Sequence, residues 1–546
     1  MALRKLSLYY HTIKYLKFKQ IIFRLWYRLI KPSVSEKVDY LKINTYREAT
    51  DSLFLYKRHR YFNNRQACFL NHCVDISSSA IWNDKNQAKL WLYNLHYFDS
   101  LNAQNLHHRA LSYQLLERWQ KENPISKRGN GWEPYPISLR IVNIIKYVLL
   151  GGSVSEKIKY SLYVQARYLN KICEYHILGN HLFENFKALC FAGLFFESKE
   201  ASLWLKKGSN GLKKEIKEQV LADGGHFELS AMYHSIILEG LLDLKAIFDL
   251  YGRSDLFLWS NQINQMLSWL DLMRRNDDSI SYFNDAADQI AQAPRSLFDY
   301  AKRLGFEYQS SPKTGLTILD ATGYTVYNFS RIKAILDTAD IGASYLPGHA
   351  HADNLSFELI IDGFPVFVNL GTSCYGDSQR RYFERSTKAH NTLVMADHNS
   401  SEIWGSFRVA RRATTQIIER NSQGGVCHIT AMHNGYQRLE NKAIHRRQWQ
   451  FRSGELLITD QLETSQKAQL LLHLHPLCQI TETTSQGITI TLPNQKDIML
   501  KFSGVYKIQD SQYALTFGTL QPTKTFSYQL DNQTHKASIM IRWDDQ

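Results

Sequence analysis

The sequence contains no Walker-type glycine-rich loop, no zinc-finger spacing and no aromatic strand of the RNA-recognition kind. A net charge of +14 over 546 residues draws the chain to polyanions, but nucleic acid is not the expected one. A signal peptide is also missing. Residues 13–30 interleave basic and apolar side chains without the uninterrupted apolar core that export needs. They are expected to form an amphipathic helix, either laid on an anionic membrane or, as such helices more often do, packed on its own domain. No run is apolar enough to cross a bilayer. The expected location is cytoplasmic or peripheral to the inner membrane, with a periplasmic one left open. Seven cysteines (Cys68, Cys73, Cys173, Cys190, Cys374, Cys427, Cys478) are odd in number and scattered, which argues for thiols in a reducing compartment rather than a disulfide framework.

What is present reads as a globular protein too long for one ordinary core, with 44% hydrophobic residues. Its 31 tyrosines and 11 tryptophans suit either an aromatic-rich core or a surface on which sugar rings stack. Residues 31–80 read as linker with short extended pieces. From about 86 to 305, apolar residues recur at threes and fours in successive segments such as Pro136–Leu150, His181–Phe196 and Ser230–Tyr251. Asn123-Pro124, Gly151-Gly152, Gly179 and Gly224-Gly225 separate them. Antiparallel helices with short connections close into a toroid or stack as a solenoid, and no repeat chooses between the two. Near residue 315 the period changes to short β-rich runs, among them 323–327, 468–474 and 539–543, which fit an antiparallel sandwich. The expected domains are 1–85 (basic helix and linker), 86–314 (helical) and 315–546 (sandwich), with the boundary at 310–318.

Four stretches carry candidate chemistry. In the first, Pro347–Thr372, His349 and His351 follow a Pro-Gly break and lead into alternating Leu355, Phe357 and Leu359. If the strand begins early, the two imidazoles share a face, which suits a metal, a proton-transfer site or a structural pair. The second is Gly131–Arg140, which leads into a helix. The third is Gly179–Asn185, where Asn180 is a natural N-cap. The fourth, Asp223–His234, is a Gly-rich turn feeding a helix, in which Tyr233 reads equally as a core aromatic. Asp285 and Asp288 could belong to a loop near a cleft but read more safely as turn formers, and His473 and His475 read as structural.

Together these motifs resemble the heparinase II/III family of polysaccharide lyases, alginate-lyase-like members included. The most specific is Gly348-His-Ala-His-Ala-Asp-Asn-Leu-Ser-Phe-Glu-Leu359, followed by Arg385–Thr392 and then Trp132, Tyr135, Ser138 and Arg140. The resemblance implies an N-terminal α/α toroid (an incomplete helical barrel) followed by a C-terminal antiparallel β-sandwich, with the site between them. It implies β-elimination on an acidic, uronic-acid-containing polysaccharide. By motif, Tyr233 would be the general acid, and base as well for one stereochemistry. His349 would be the opposing base or a partner in proton transfer, and Asn180 and His181 would bind the uronate carboxylate. Arg385, Trp132, Tyr135 and Arg140 would contact the glycan. The family's divalent metal, usually zinc, would fall to His351, Asn369 and His390. Asn369 stands where the family has aspartate, a poorer donor that leaves the metal weak, differently ligated (Asp353 and Asp377 are near in sequence) or absent.

A uronate C5 proton is acidic only once the carboxylate charge is offset by donors, so elimination needs donors, a base and an acid around one sugar. A free tyrosine titrates near about 10 and would need cationic neighbours to act as base. A C5-epimerase would use the same proton abstraction without breaking C4–O. A non-catalytic glycan-binding or assembly factor is the rival from another class, and the lack of an export signal would tie the protein, as a lyase or as one of these alternatives, to surface-polysaccharide biosynthesis.

Overall fold

The computed structural model of the chain describes residues 2–544 apart from 39–40, 49, 51, 59, 64, 276, 309–313, 441, 486 and 532. Two helices, α1 (Ala2–Ile13) and α2 (Phe18–Leu29), lead the chain. The expected linker region holds a small antiparallel sheet of Tyr61–Asn63, Gln66–Phe69 and His72–Asp75. Its hairpin sets Cys68 opposite Cys73, and the two are joined as a disulfide. The expectation of thiols therefore fails at this pair, because directly opposed strand residues lie within bridging distance. The other five cysteines are free.

The helical domain follows as α3 (Lys89–Tyr97), α4 (Leu106–Glu122), α5 (Pro134–Leu149), α6 (Glu156–Ile172), α7 (Gly179–Phe195), α8 (Lys199–Gln219), α9 (Ala231–Leu250), α10 (Ser260–Met273) and α11 (Pro294–Arg303). They form the incomplete toroid. The key helix is α7, in which every residue except His181 is buried. A helix buried all round, its polar Glu184 and Lys187 paired with each other, is central to its domain. Its single half-exposed residue therefore marks where the centre of the domain opens to solvent.

The expected boundary at 310–318 starts in residues that lie outside the described ones, and the first strand is Gly315–Leu319. Five antiparallel strands run in sequence order to Phe364–Phe367. This sheet is covered on both faces. Tyr324, Val326 and Ile335 join the core of the helical domain, while Tyr327, Ala334 and Leu336 join the core of the sandwich. Strand side chains alternate, so the doubly covered strand Ile332–Asp337 is buried throughout. A four-stranded and an eight-stranded antiparallel sheet, with a two-stranded one of Ile403–Trp404 and Arg408–Val409, complete the C-terminal domain among the described residues. A buried ion pair ties the two halves together: Arg275, just after α10, meets Glu358 of strand Phe357–Ile361 at 2.7 Å.

Candidate active site

Between the helical domain and the sandwich lies a cleft of about 1160 Å³, lined by Asn180, His181, Tyr233, His349 and Tyr375 among others. It exceeds the roughly 300–1,000 Å³ of an ordinary small-molecule pocket. Gly179, at φ +58°, turns the chain into α7, and a Cβ there would collide with Leu346. The turn brings Asn180 and His181 to the mouth of the helix. His181 Nδ1 meets Glu174 Oε1 at 3.0 Å, and its ring lies 4.4 Å from that of Tyr135, which also lines the cleft.

Tyr233 sits in the first turn of α9, whose N-cap Ser230 accepts from the Tyr233 backbone N–H at 3.3 Å. The same Ser230 hydroxyl donates to the Asp285 carbonyl at 2.6 Å, and the Asp285 N–H donates to the His349 carbonyl at 2.9 Å. Three backbone segments are thereby held in one register. The rings of Tyr233 and His349 lie 4.0 Å apart, and the Tyr233 hydroxyl is 2.9 Å from that of Tyr375.

His349 and His351 do not lie on a strand as expected. His349 ends a 3₁₀ turn, Pro347–His349, and the strand starts only at Phe357, past Leu355 with its φ of +61°. Their rings converge all the same, because both reach one carboxylate. Asp285 is 2.8 Å from His349 Nδ1 and 2.8 Å from His351 Nε2, and Arg381 pairs with both of its oxygens. Burial would raise the Asp285 carboxyl, but the Arg381 guanidinium and the two imidazole hydrogen bonds hold it well below the ordinary value. An ionised carboxylate only accepts, so His349 carries its proton on Nδ1 and keeps Nε2 as its basic nitrogen. Burial lowers the His349 pKa, with Asp285 opposing, so the ring is neutral at pH 7.

Tyr233 has the environment of an acid and not of the additional base. Burial first, then Tyr375 and the charge of Asp285, push its pKa well above 10, so it is a phenol suited to donate a proton rather than a base. Glu228 lies 3.8 Å from His349 Nε2, and burial pushes its carboxyl up to about 8.

Three expected glycan contacts face elsewhere. Arg140 is buried and spends its guanidinium on Gln165 and the carbonyls of His96 and Gly131. Trp132 is buried, with its indole N–H donating to the Asn123 carbonyl. Arg385 is buried and binds the carbonyls of Ala350 and Gly405. All three brace the walls, because a guanidinium or indole N–H without water must find internal acceptors. Eight cations line the cleft: Lys57, Lys89, Lys146 and Lys187 are paired with Glu239, Glu133, Asp243 and Glu184, whereas Arg24, Arg60, Arg408 and Arg412 have no carboxylate within 4 Å among the described residues.

The expected metal set is incomplete. His351 Nδ1 and His390 Nε2 are 3.3 Å apart, the spacing two ligands would have on a zinc with bonds of about 2.0–2.1 Å. Asn369, however, turns its amide oxygen to the Asn391 backbone N–H at 3.4 Å and leaves its buried NH₂ unpartnered. Asp353 instead accepts from the Asn284 backbone N–H at 3.2 Å. Among the described residues no group of three His, Cys, Asp or Glu could hold a metal, so the donor set does not fit zinc.

Asp285, Arg381, Tyr375 and Glu228 were not picked out as site residues from sequence. For Asp285 the available signal is the loop of residues 283–288, which resembles a family loop near the cleft, although a turn aspartate is the safer reading there.

The N-terminal domain of the heparinase II/III family matches residues 82–305, and the heparinase II/III-like C-terminal domain matches 311–544. A heparin-sulfate lyase of Bacteroides stercoris is 26% identical over 321 residues, 55% of this chain and 46% of that protein. One of Bacteroides thetaiotaomicron is 22% identical over 373 residues, 57% of this chain and 51% of that protein. The chain thus spans about half the length of these relatives. A crystal structure of heparinase III superposes with a TM-score of 0.70 at 16% identity, covering 96% of this chain and 88% of that one. The heparan sulfate lyase HepC from Pedobacter heparinus gives 0.57 at 17%, covering 88% and 81%. At such identities these likenesses speak for the fold.

Proposed function

The chain belongs to the heparinase II/III family, and from that premise we propose that it is a polysaccharide lyase cleaving a uronic-acid-containing acidic glycan by β-elimination. One observation carries the reading: Tyr233 from the helical domain and an Asp285-oriented His349 from the sandwich lie in one cleft with Asn180 and His181. His349 Nε2 takes the C5 proton, and Asp285 stabilises the imidazolium that results. The electron pair from C5–H forms the C4=C5 double bond as C4–O breaks. Tyr233 gives its phenolic proton to the departing oxygen and is reprotonated through Tyr375 from solvent, while the His349 imidazolium releases the C5 proton to solvent once the product has left. Asn180 and His181 meet the substrate carboxylate and offset its charge while C5 becomes acidic. Arg24, Arg408 and Arg412 hold the anionic chain along the cleft.

The test is incubation with a panel of polyuronides and glycosaminoglycans while following the absorbance of the conjugated enoate. A rise supports elimination. Deuterium uptake at C5 without a rise makes the protein an epimerase, and neither signal on any glycan leaves a binding factor.

A further inference from the structure

The first 35 residues contain eight lysines and arginines and no acidic residue, the first being Glu36. They also lie outside both matched family domains. Helix α2 is amphipathic in an inverted sense. Its inward face is polar at the tips: Gln20 is buried and donates to the Ile177 carbonyl at 3.2 Å, and the Tyr27 hydroxyl donates to the Cys173 carbonyl at 2.6 Å. Its outward face carries Phe18, Ile22, Leu25, Trp26 and Leu29, exposed by 76, 42, 57, 50 and 83%. These follow the spacing of one helical stripe. Five large apolar side chains left in water on one 12-residue helix are not what a free surface favours.

We propose that α2 docks this protein on the surface of an anionic lipid bilayer, with the Phe18–Leu29 stripe entering the headgroup boundary. The flanking charge selects this occupant. Lys19, Arg28 and Lys31 are exposed beside the stripe, and nothing acidic in the segment would oppose a negative surface. Depth and length also agree. A 12-residue helix is about 18 Å long, and such helices sink about 5–10 Å into the interface. No helix among the described residues is long and apolar enough to cross a membrane, so the contact is peripheral. The opposite side of α2 lines the cleft with Gln20 and Arg24. Docking would therefore hold the cleft mouth beside the lipid surface, where membrane-proximal anionic glycan is met first. The docking itself does not depend on the reaction proposed above.

The experiment is flotation of the full chain with vesicles of phosphatidylcholine alone or mixed with phosphatidylglycerol. The expected result is flotation only with the anionic vesicles, weakened at about 1 M salt, where screening shortens to about 3 Å. A Leu25→Glu/Leu29→Glu variant changes two exposed residues and should keep its circular-dichroism melt while losing binding by roughly tenfold or more. Equal behaviour with both vesicle types, or unchanged binding by the variant, overturns the proposal. So does a wild-type dimer in sedimentation that the substitutions dissolve without any vesicle binding, since a second copy would then be what covers the stripe.

Discussion

Replacing Asp285 by asparagine keeps the shape of the side chain and removes its charge. Asp285 lies 2.8 Å from His349 Nδ1. At an effective dielectric of about 20, unit charges at that distance attract by about 6 kcal/mol. With the imidazolium about half formed in the transition state, roughly 3 kcal/mol is lost, or about 10²-fold in kcat. An amide can also donate to His349 Nδ1 and select the wrong tautomer, which takes the expected loss towards about 10⁴-fold. The acid limb of the pH–rate profile should move to lower pH. Burial and Arg381 both lower the His349 pKa, and Asp285 is what opposes them. Stability is a separate matter, because Arg381 is buried and would lose its partner, costing about 3–5 kcal/mol. An Asp285→Asn/Arg381→Met double variant should recover the melting temperature but not turnover. Enoate absorbance at several pH values and a thermal melt read both effects. A folded Asp285→Asn protein losing less than about tenfold in kcat would refute the dyad.

Glu228→Gln should leave turnover at pH 7 almost unchanged and extend activity above pH 8, since burial pushes the carboxyl up to about 8 and its ionisation beside His349 is then avoided. The folded state holds that proton more tightly than the unfolded chain, so wild-type stability falls as pH rises from about 4.5 to about 8 and levels off above; a melt series should find that part of the slope gone in the variant. Arg408→Ala should raise KM by about tenfold at low salt, leave kcat within about twofold and flatten the salt dependence, because its exposed guanidinium lines the cleft. Dialysis against a chelator should change neither turnover nor melting temperature, whereas Asn369→Asp should acquire close to one equivalent of zinc by elemental analysis.

The helical domain was legible because its helices bury one continuous face, and observed bounds such as Ala231–Leu250 fall within a few residues of those read from periodicity. Several strands of the sandwich were not. In His445–Arg452 the inward positions include His445 and Arg447, both fully buried and held by Asp460, so polar side chains stand where alternation expects apolar ones. At the site, Asn180, His181, Tyr233 and His349 could be named from local motifs. Asp285 and Tyr375 could not, since each acquires its role only through partners more than 60 residues away in sequence. The exclusion of Arg140, Trp132 and Arg385 from the cleft has the same origin. Each supplies donors to carbonyls whose positions only the folded chain reveals.

Everything rests on Tyr233 and His349 acting on one sugar as acid and base. The most direct measurement is turnover and glycan affinity, side by side, for Tyr233→Phe and His349→Ala on whichever polyanionic glycan the wild type cleaves. The account predicts that each variant binds within a few-fold of wild type and loses at least about 10²-fold in kcat. Full turnover by Tyr233→Phe, or a loss explained wholly by weakened binding, would contradict it.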